Sequence, residues 1–71
     1  MVFFVIESQV ANGSGSLITF SFDNRPDAEA KYHSLLAVAA KSAVQKHGVM
    51  LCNEDLFVLK EEVYTHFEEA E

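Results

Sequence analysis

The sequence predicts an α+β fold with the element order ββαββ, in which a four-stranded antiparallel sheet has one long helix packed on one face. Three observations lead to this prediction: an Asn-Gly pair between two β-rich stretches, one unbroken helical pattern, and two further β-rich stretches after it. Seventy-one residues suit a single small domain. Its expected parts are a β-hairpin (1–23), the helix (24–48), a second β-hairpin (49–66) and an acidic tail (67–71).

The first hairpin is expected from two runs rich in alternating apolar residues, at 2–10 and 17–22. Asn12-Gly13 lies between them and is the strongest short-range hairpin signal in the chain. The glycine and serine residues at 11–16 also resemble a phosphate-binding loop, but such a loop leads from a strand into a helix. Here the loop leads into another strand, so we expect a hairpin turn.

The helix is predicted from signals at both of its ends. Asn24 is a suitable N-cap, Pro26 falls in the first turn, and Asp27 favours the positive end of the helix dipole. No glycine or proline follows until Gly48, so we expect the helix to continue through His47 and to end at Gly48 as a left-handed cap. The apolar face of this helix is expected to contain Ala28, Tyr32, Leu35, Leu36, Ala39 and Ala43.

The second hairpin is expected from strands at 49–53 and 56–66, joined by a tight turn at 53–55. One helix covers only one face of a four-stranded sheet, yet apolar residues remain for the other face. These residues, which the pattern does not assign to one face or the other, are Phe3, Val5, Leu17, Phe57 and Leu59. We therefore expect a homo-oligomer, with a dimer favoured, formed through a sheet face or through exposed strand edges. The pattern leaves the strand order open.

Charge and composition argue against some classes of partner. The formal net charge is −6 and the five Lys and Arg residues are scattered, so we expect neither nucleic-acid nor anionic-membrane binding. No apolar stretch is long enough to span a membrane, and the apolar beginning of the chain lacks the basic segment of a signal peptide. Cys52 is the single cysteine, which favours a reducing, cytoplasmic location.

The side chains able to carry chemistry are few and dispersed. Glu62, Tyr64 and His66 alternate along the last predicted strand, and His33 lies at the margin of the apolar helix face. These four are the candidate site residues. A zinc site needs three or four converging ligands, and no set in the sequence is spaced in that way, so we expect no metal, cofactor or catalytic residue. Cys52 has no cation near it in sequence and is expected in the core.

Three segments of the chain resemble one group of short proteins: VIESQV at 5–10, DAEAKYHSLLAVAAKSAVQKHGVML at 27–51 and LKEEVYTH at 59–66. The group consists of uncharacterised proteins of gut bacteria and phage-like gene clusters, with a Y-x-V-I-E opening and an E-A-x-x-K-Y-H helix. Phe3 replaces the tyrosine and Asp27 replaces the first glutamate. The ending K-x-E-x-Y-x-H is complete, as Lys60, Glu62, Tyr64 and His66. The resemblance implies no activity, and its gene neighbourhood implies a phage or prophage structural or accessory role.

Two main hypotheses of function follow. The first is a small, non-enzymatic, self-associating interaction or assembly module, because the chain is short and has surplus apolar strand residues. The alternative is a small-molecule or metal binder, or a modest enzyme, whose site forms between subunits. That site would be built from His33, Glu62, Tyr64 and His66. A regulator that binds a protein partner through the acidic tail is a further hypothesis.

Overall fold

The structure, a computed structural model, describes residues 1–67 and confirms the predicted ββαββ order. The elements are β1 (Phe3–Ala11), β2 (Ser14–Phe22), α1 (Arg25–Lys41), β3 (Lys46–Asn53) and β4 (Val58–Thr65). The four strands form one antiparallel sheet in the order β2-β1-β3-β4, so the central pair joins the two hairpins. The predicted tail falls almost wholly on residues 68–71, which lie outside the described part of the chain.

The core lies between α1 and one face of the sheet. Val5 of β1 is opposite Leu51 of β3 and Phe20 of β2, and because side chains alternate along a strand, all three point toward the helix. Val5 and Leu51 are fully buried. The helix packs mainly on β3 and β1. The buried apolar core residues are Phe3, Val5, Ala28, Tyr32, Ala39, Val49 and Leu51, with Phe20, Phe22, Leu35, Leu36, Leu59 and Tyr64 partly buried around them.

The first hairpin turn and the start of the helix follow the predicted chemistry. Asn12 and Gly13 have φ angles of 54° and 78°, as a two-residue hairpin turn with two left-handed positions requires. The Asn24 side chain accepts a hydrogen bond from the Asp27 amide at 2.9 Å, and Pro26 lies in the first turn. The helix within the described residues is neither long nor apolar enough to cross a membrane.

The predicted end of the helix is wrong. The helix ends at Lys41, Ser42 is its extended C-cap (φ −74°, ψ 160°), and β3 begins at Lys46 rather than at Val49. The physical reason is that Lys46 and His47 pair in the sheet, so the chain must leave the helix before them. The Gln45 side chain accepts a hydrogen bond from the Asn12 amide at 3.0 Å. From Lys46 onward, the chain pairs with β1 on one side and β4 on the other.

The last strand begins two residues later than predicted. Asn53 stabilises the turn before this strand, because its side-chain oxygen accepts hydrogen bonds from the amides of Asp55 and Phe57 at 2.9 and 3.0 Å. Leu56 has a φ angle of 63°, which is incompatible with a strand and explains why β4 starts at Val58.

The second face of the sheet carries no helix, and we call it the open face. Its central residues are Leu17 and Thr19 of β2, Ile6 and Ser8 of β1, Gly48 and Met50 of β3, and Glu61 and Val63 of β4. Apolar residues do lie on the open face, as predicted, but most of the residues that the sequence analysis named for it lie elsewhere. Phe3 and Val5 are buried under the helix, Leu59 packs against the core and Phe57 precedes β4. Of the residues named, Leu17 does lie on the open face.

Candidate functional site

The most polar part of the interior lies beneath the C-terminal end of the helix. Glu7 and His47 have only 7% and 2% of their surface exposed, although neither residue type is usually buried this deeply without a partner. The register places Glu7 opposite Val49, so His47 is the next β3 residue on the same face. Their side chains meet directly, with 2.7 Å between His47 Nε2 and Glu7 Oε2.

Ser42 and His66 extend this contact toward the surface. Ser42 Oγ lies 2.9 Å from His47 Nδ1, and His66 Nε2 lies 3.4 Å from Ser42 Oγ and 2.7 Å from the Ala39 carbonyl oxygen. The His66 amide donates to the Gln45 carbonyl oxygen at 2.8 Å, which fixes the end of β4 beside the helix terminus. We call Glu7, His47, Ser42 and His66 the histidine cluster.

One arrangement of hydrogen atoms satisfies the shortest contacts of the cluster. With one proton on the His47 ring, Nε2 donates to the Glu7 carboxylate, which only accepts hydrogen bonds, and Nδ1 is then an acceptor. The Ser42 hydroxyl then donates to Nδ1, and His66 donates from Nε2 to the Ala39 carbonyl. Every buried side-chain nitrogen and oxygen in residues 1–67 has a partner. The result is a hydroxyl, an imidazole and a buried carboxylate hydrogen-bonded in that order, which is the order of a nucleophile, its base and the group that orients the base.

The four residues predicted from the sequence do not form one site in the described chain. Tyr64 and His66 do come together, with stacked rings whose centroids are 6.3 Å apart. Glu62 is exposed on β4, and His33 is exposed on the helix against the edge of Tyr32. Within residues 1–67, no three His, Cys, Asp or Glu side chains are grouped so that they could hold a metal ion. Only His66 belongs to the histidine cluster.

Sequence reasoning missed Glu7, Ser42 and His47. For Glu7 and His47, the available signal is their position. Glu7 continues the alternation of the core-facing Phe3 and Val5, and His47 precedes Val49 and Leu51 in the same alternation. Two ionisable side chains at the core-facing positions of two strands must bind each other, or their hydrogen-bonding groups remain unsatisfied. That signal is lost when His47 is assigned to the helix.

No family model, curated protein or solved structure matches this chain. Its function is therefore inferred from the chemistry of its own residues.

Other titratable groups have structural roles. The Lys60 ammonium donates a 3.0 Å hydrogen bond to Glu29, which lowers the pKa of that carboxyl below its ordinary value. Burial raises the pKa of the Tyr32 hydroxyl, and the nearby carboxylate of Glu62 raises it further. Burial also raises the pKa of the Cys52 thiol, as expected for a core cysteine. A thiol held in its protonated form is a poor nucleophile.

The open face has a shallow depression of about 210 Å³ over Gly48. Ser8 and Val63, the neighbours of Gly48 on the two adjacent strands, approach it closely and line this depression. Apolar side chains surround it, among them Ile6, Leu17 and Met50. The open face therefore presents exposed apolar side chains beside the polar Ser8 and Glu61, and its uneven surface suits packing against a complementary surface.

Proposed function

We propose that this protein is a self-associating interaction module in which two copies pack open face against open face. One observation carries the proposal: the sheet presents an apolar surface that its own helix does not cover. Leu17 and Val63 are 70% and 62% exposed, on either side of the half-buried Ile6 and Met50. Contiguous apolar surface of this kind marks interaction sites in soluble proteins.

The size of the open face suits a specific dimer. Strands of eight or nine residues at about 3.3 Å per residue, with four strands about 4.8 Å apart, give roughly 500 Å² per copy and roughly 1,000 Å² per pair. That area reaches the lower limit for specific interfaces, about 1,000 Å². A 71-residue chain also gains from the added core, because a domain of this size buries a smaller fraction of its unfolded surface than a larger domain does.

Charge on the open face permits pairing of identical copies. Glu61 lies among the central residues of the face, and Lys46 lies on the same face near the end of β3. A two-fold contact brings the same patch of both copies together, so two patches that carry charge of only one sign would repel each other. A patch that carries both positive and negative charge can place opposite charges next to each other. The resemblance to phage-linked proteins supports a structural or accessory role for such a pair.

The test is the solution mass from light scattering on a size-exclusion column, measured over a range of protein concentrations. Leu17→Asp places a charge in the open face, and Val38→Asp is the matched control, because Val38 is 58% exposed on the helix. We expect a dimer for the wild type and for Val38→Asp, and a monomer for Leu17→Asp. A wild-type monomer at every concentration would refute self-association, and a dimer unaffected by Leu17→Asp would exclude the open face and favour pairing through the β2 or β4 edge.

The same measurement with a chelator tests the alternative of a metal site between subunits. His33, Glu62 and His66 do not lie among the central residues of the open face, so their site would need a different interface. A dimer that dissociates on addition of the chelator would favour that alternative. A dimer indifferent to the chelator would favour apolar packing.

A further inference from the structure

We propose that Ser42 is a nucleophile that accepts a short acyl group from an activated ester, with His47 as its base. A serine hydroxyl is a weak nucleophile unless a neighbouring base takes its proton, and the base must be held in the correct orientation. His47 Nδ1 lies 2.9 Å from Ser42 Oγ and the opposite ring nitrogen lies 2.7 Å from Glu7, so both conditions are met. Nδ1 faces the serine here, in place of the Nε2 of the chymotrypsin arrangement, and either nitrogen can take a proton.

Burial strengthens the pair that supports the serine. The His47 and Glu7 side chains are 3% and 9% exposed. Positive charge that develops on His47 as it takes the proton would lie beside a carboxylate from which water is largely excluded. Electrostatic stabilisation is larger in such a site than in water, and the groups are already oriented before reaction.

The serine end of the cluster reaches the surface. Ser42 is half-buried and His66 is exposed, so the cluster runs from the interior outward. His66 Nε2 lies 3.4 Å from Ser42 Oγ, so the imidazole is next to the position that an ester at Ser42 would occupy.

The reaction balances without a further reagent. Ser42 Oγ attacks the carbonyl carbon while its proton moves to His47 Nδ1, and the ester C–O bond then breaks. The leaving alcohol or phenol takes the proton from His47, and the acyl group stays on Ser42 as a new ester. Water, deprotonated by the same nitrogen, then attacks that ester, the bond between the carbonyl carbon and Ser42 Oγ breaks, and Oγ takes the proton from His47 as the carboxylic acid leaves. Nothing is oxidised or reduced.

The test treats the whole protein with p-nitrophenyl acetate and follows release of p-nitrophenol, the intact mass and the acetylated residue by peptide mapping. Ser42→Ala removes the hydroxyl, and Ser34→Ala is the matched control because Ser34 is an exposed serine on the same helix. We expect acetyl on Ser42 in the wild type and in Ser34→Ala, and a loss of at least about 100-fold in the rate with Ser42→Ala, the usual scale for general-base assistance. An equal rate in Ser42→Ala, or acetyl only on lysines or the N-terminal amine, would overturn the proposal.

Three further variants separate assistance by the cluster from a purely structural role. Glu7→Gln should lower the acetylation rate and Glu7→Asp should restore part of it, with circular dichroism confirming the fold of each. Ser42→Cys should react with iodoacetamide faster than a free thiol does, because His47 would take its proton, whereas the buried Cys52 in the same molecule serves as the slow reference. If the introduced thiol reacts no faster than a free thiol, the proposal is overturned even if the Glu7 variants fail to fold.

Discussion

Gly48→Ala is the substitution whose effect the structure defines most closely. Gly48 lies in the middle of β3, and a Cβ atom there would be 2.9 Å from Val63 Cγ2, 3.0 Å from Ser8 Oγ and 3.4 Å from the Glu62 carbonyl oxygen. Two of these distances are shorter than van der Waals contact, so neighbouring side chains must move. Ser8 can rotate its hydroxyl, but the branched side chain of Val63 has few alternative rotamers.

The expected cost is a loss of about 1–2 kcal/mol in the free energy of unfolding. Extra methyl groups in packed sites cost about 1–3 kcal/mol. Replacing a glycine by alanine also lowers the conformational entropy of the unfolded chain, which raises the free energy of unfolding by about 0.4–1 kcal/mol. Val63 is 62% exposed and can shift toward solvent, which favours the lower part of the range. A 71-residue domain has roughly 4–10 kcal/mol of stability in total, so the effect is easily measured.

The assay is equilibrium urea unfolding at one protein concentration, since self-association would make stability depend on concentration. Gly15→Ala is the matched control, because its Cβ would be 3.6 Å from Val10 Cγ2, an ordinary contact, and its effect should stay within about 0.5 kcal/mol. Val63→Ala should rescue part of the loss in the double variant. Wild-type stability for Gly48→Ala, or purely additive effects of the two substitutions, would refute the steric reasoning.

Three further predictions concern the helix cap, the core thiol and the surface ion pair. Asn24→Ala removes the 2.9 Å bond to the Asp27 amide and should cost about 1 kcal/mol in urea unfolding; a cost near zero would contradict the role of the cap. Cys52 is fully buried with a raised pKa, so a disulfide reagent should modify it slowly in the native protein and rapidly in urea, and immediate native labelling would count against its burial. Lys60→Gln should raise the pKa of Glu29 toward its ordinary value in an NMR titration. Because the folded pKa of Glu29 is lowered, the pair stabilises the native state above the unfolded pKa, and this contribution disappears as the pH falls through the folded pKa.

The fold could be predicted because its signals are local. Asn12-Gly13 specifies a turn and Asn24 specifies a helix start through bonds and φ angles within a few residues. The helix end could not be predicted in this way. Residues 42–47 continue a good helical pattern, and the pairing of Lys46 and His47 with β1 and β4, which are distant in sequence, is not visible in that pattern. Gly48 follows that pattern as a cap would, although it is needed for the close packing of Ser8 and Val63.

The histidine cluster could not be predicted for the same reason, because most of its contacts join residues that are far apart in sequence. Glu7 and His47 are 40 residues apart, and each looks like an ordinary polar residue in its own segment. Tyr64 and His66 are two residues apart, so their contact was within reach of sequence reasoning, and the structure brings the rings together. Glu62 was grouped with them by its alternation along the strand, but its side chain is exposed, and His33 was added from the helix, where the sequence does not fix its distance from the strand residues.

The polar contacts between the central strands also fix how those strands align. A slip of two residues keeps the same side chains facing the helix, so apolar packing alone discriminates weakly against it. A slip that set Glu7 opposite Leu51 would separate the carboxylate from His47 and leave it buried without a partner, at a cost of several kcal/mol. The opposite slip would carry Gln45 away from the Asn12 amide, leaving another buried polar group unsatisfied. Glu7, His47 and Gln45 thus select one alignment of β1 and β3 from several that hydrophobicity would accept.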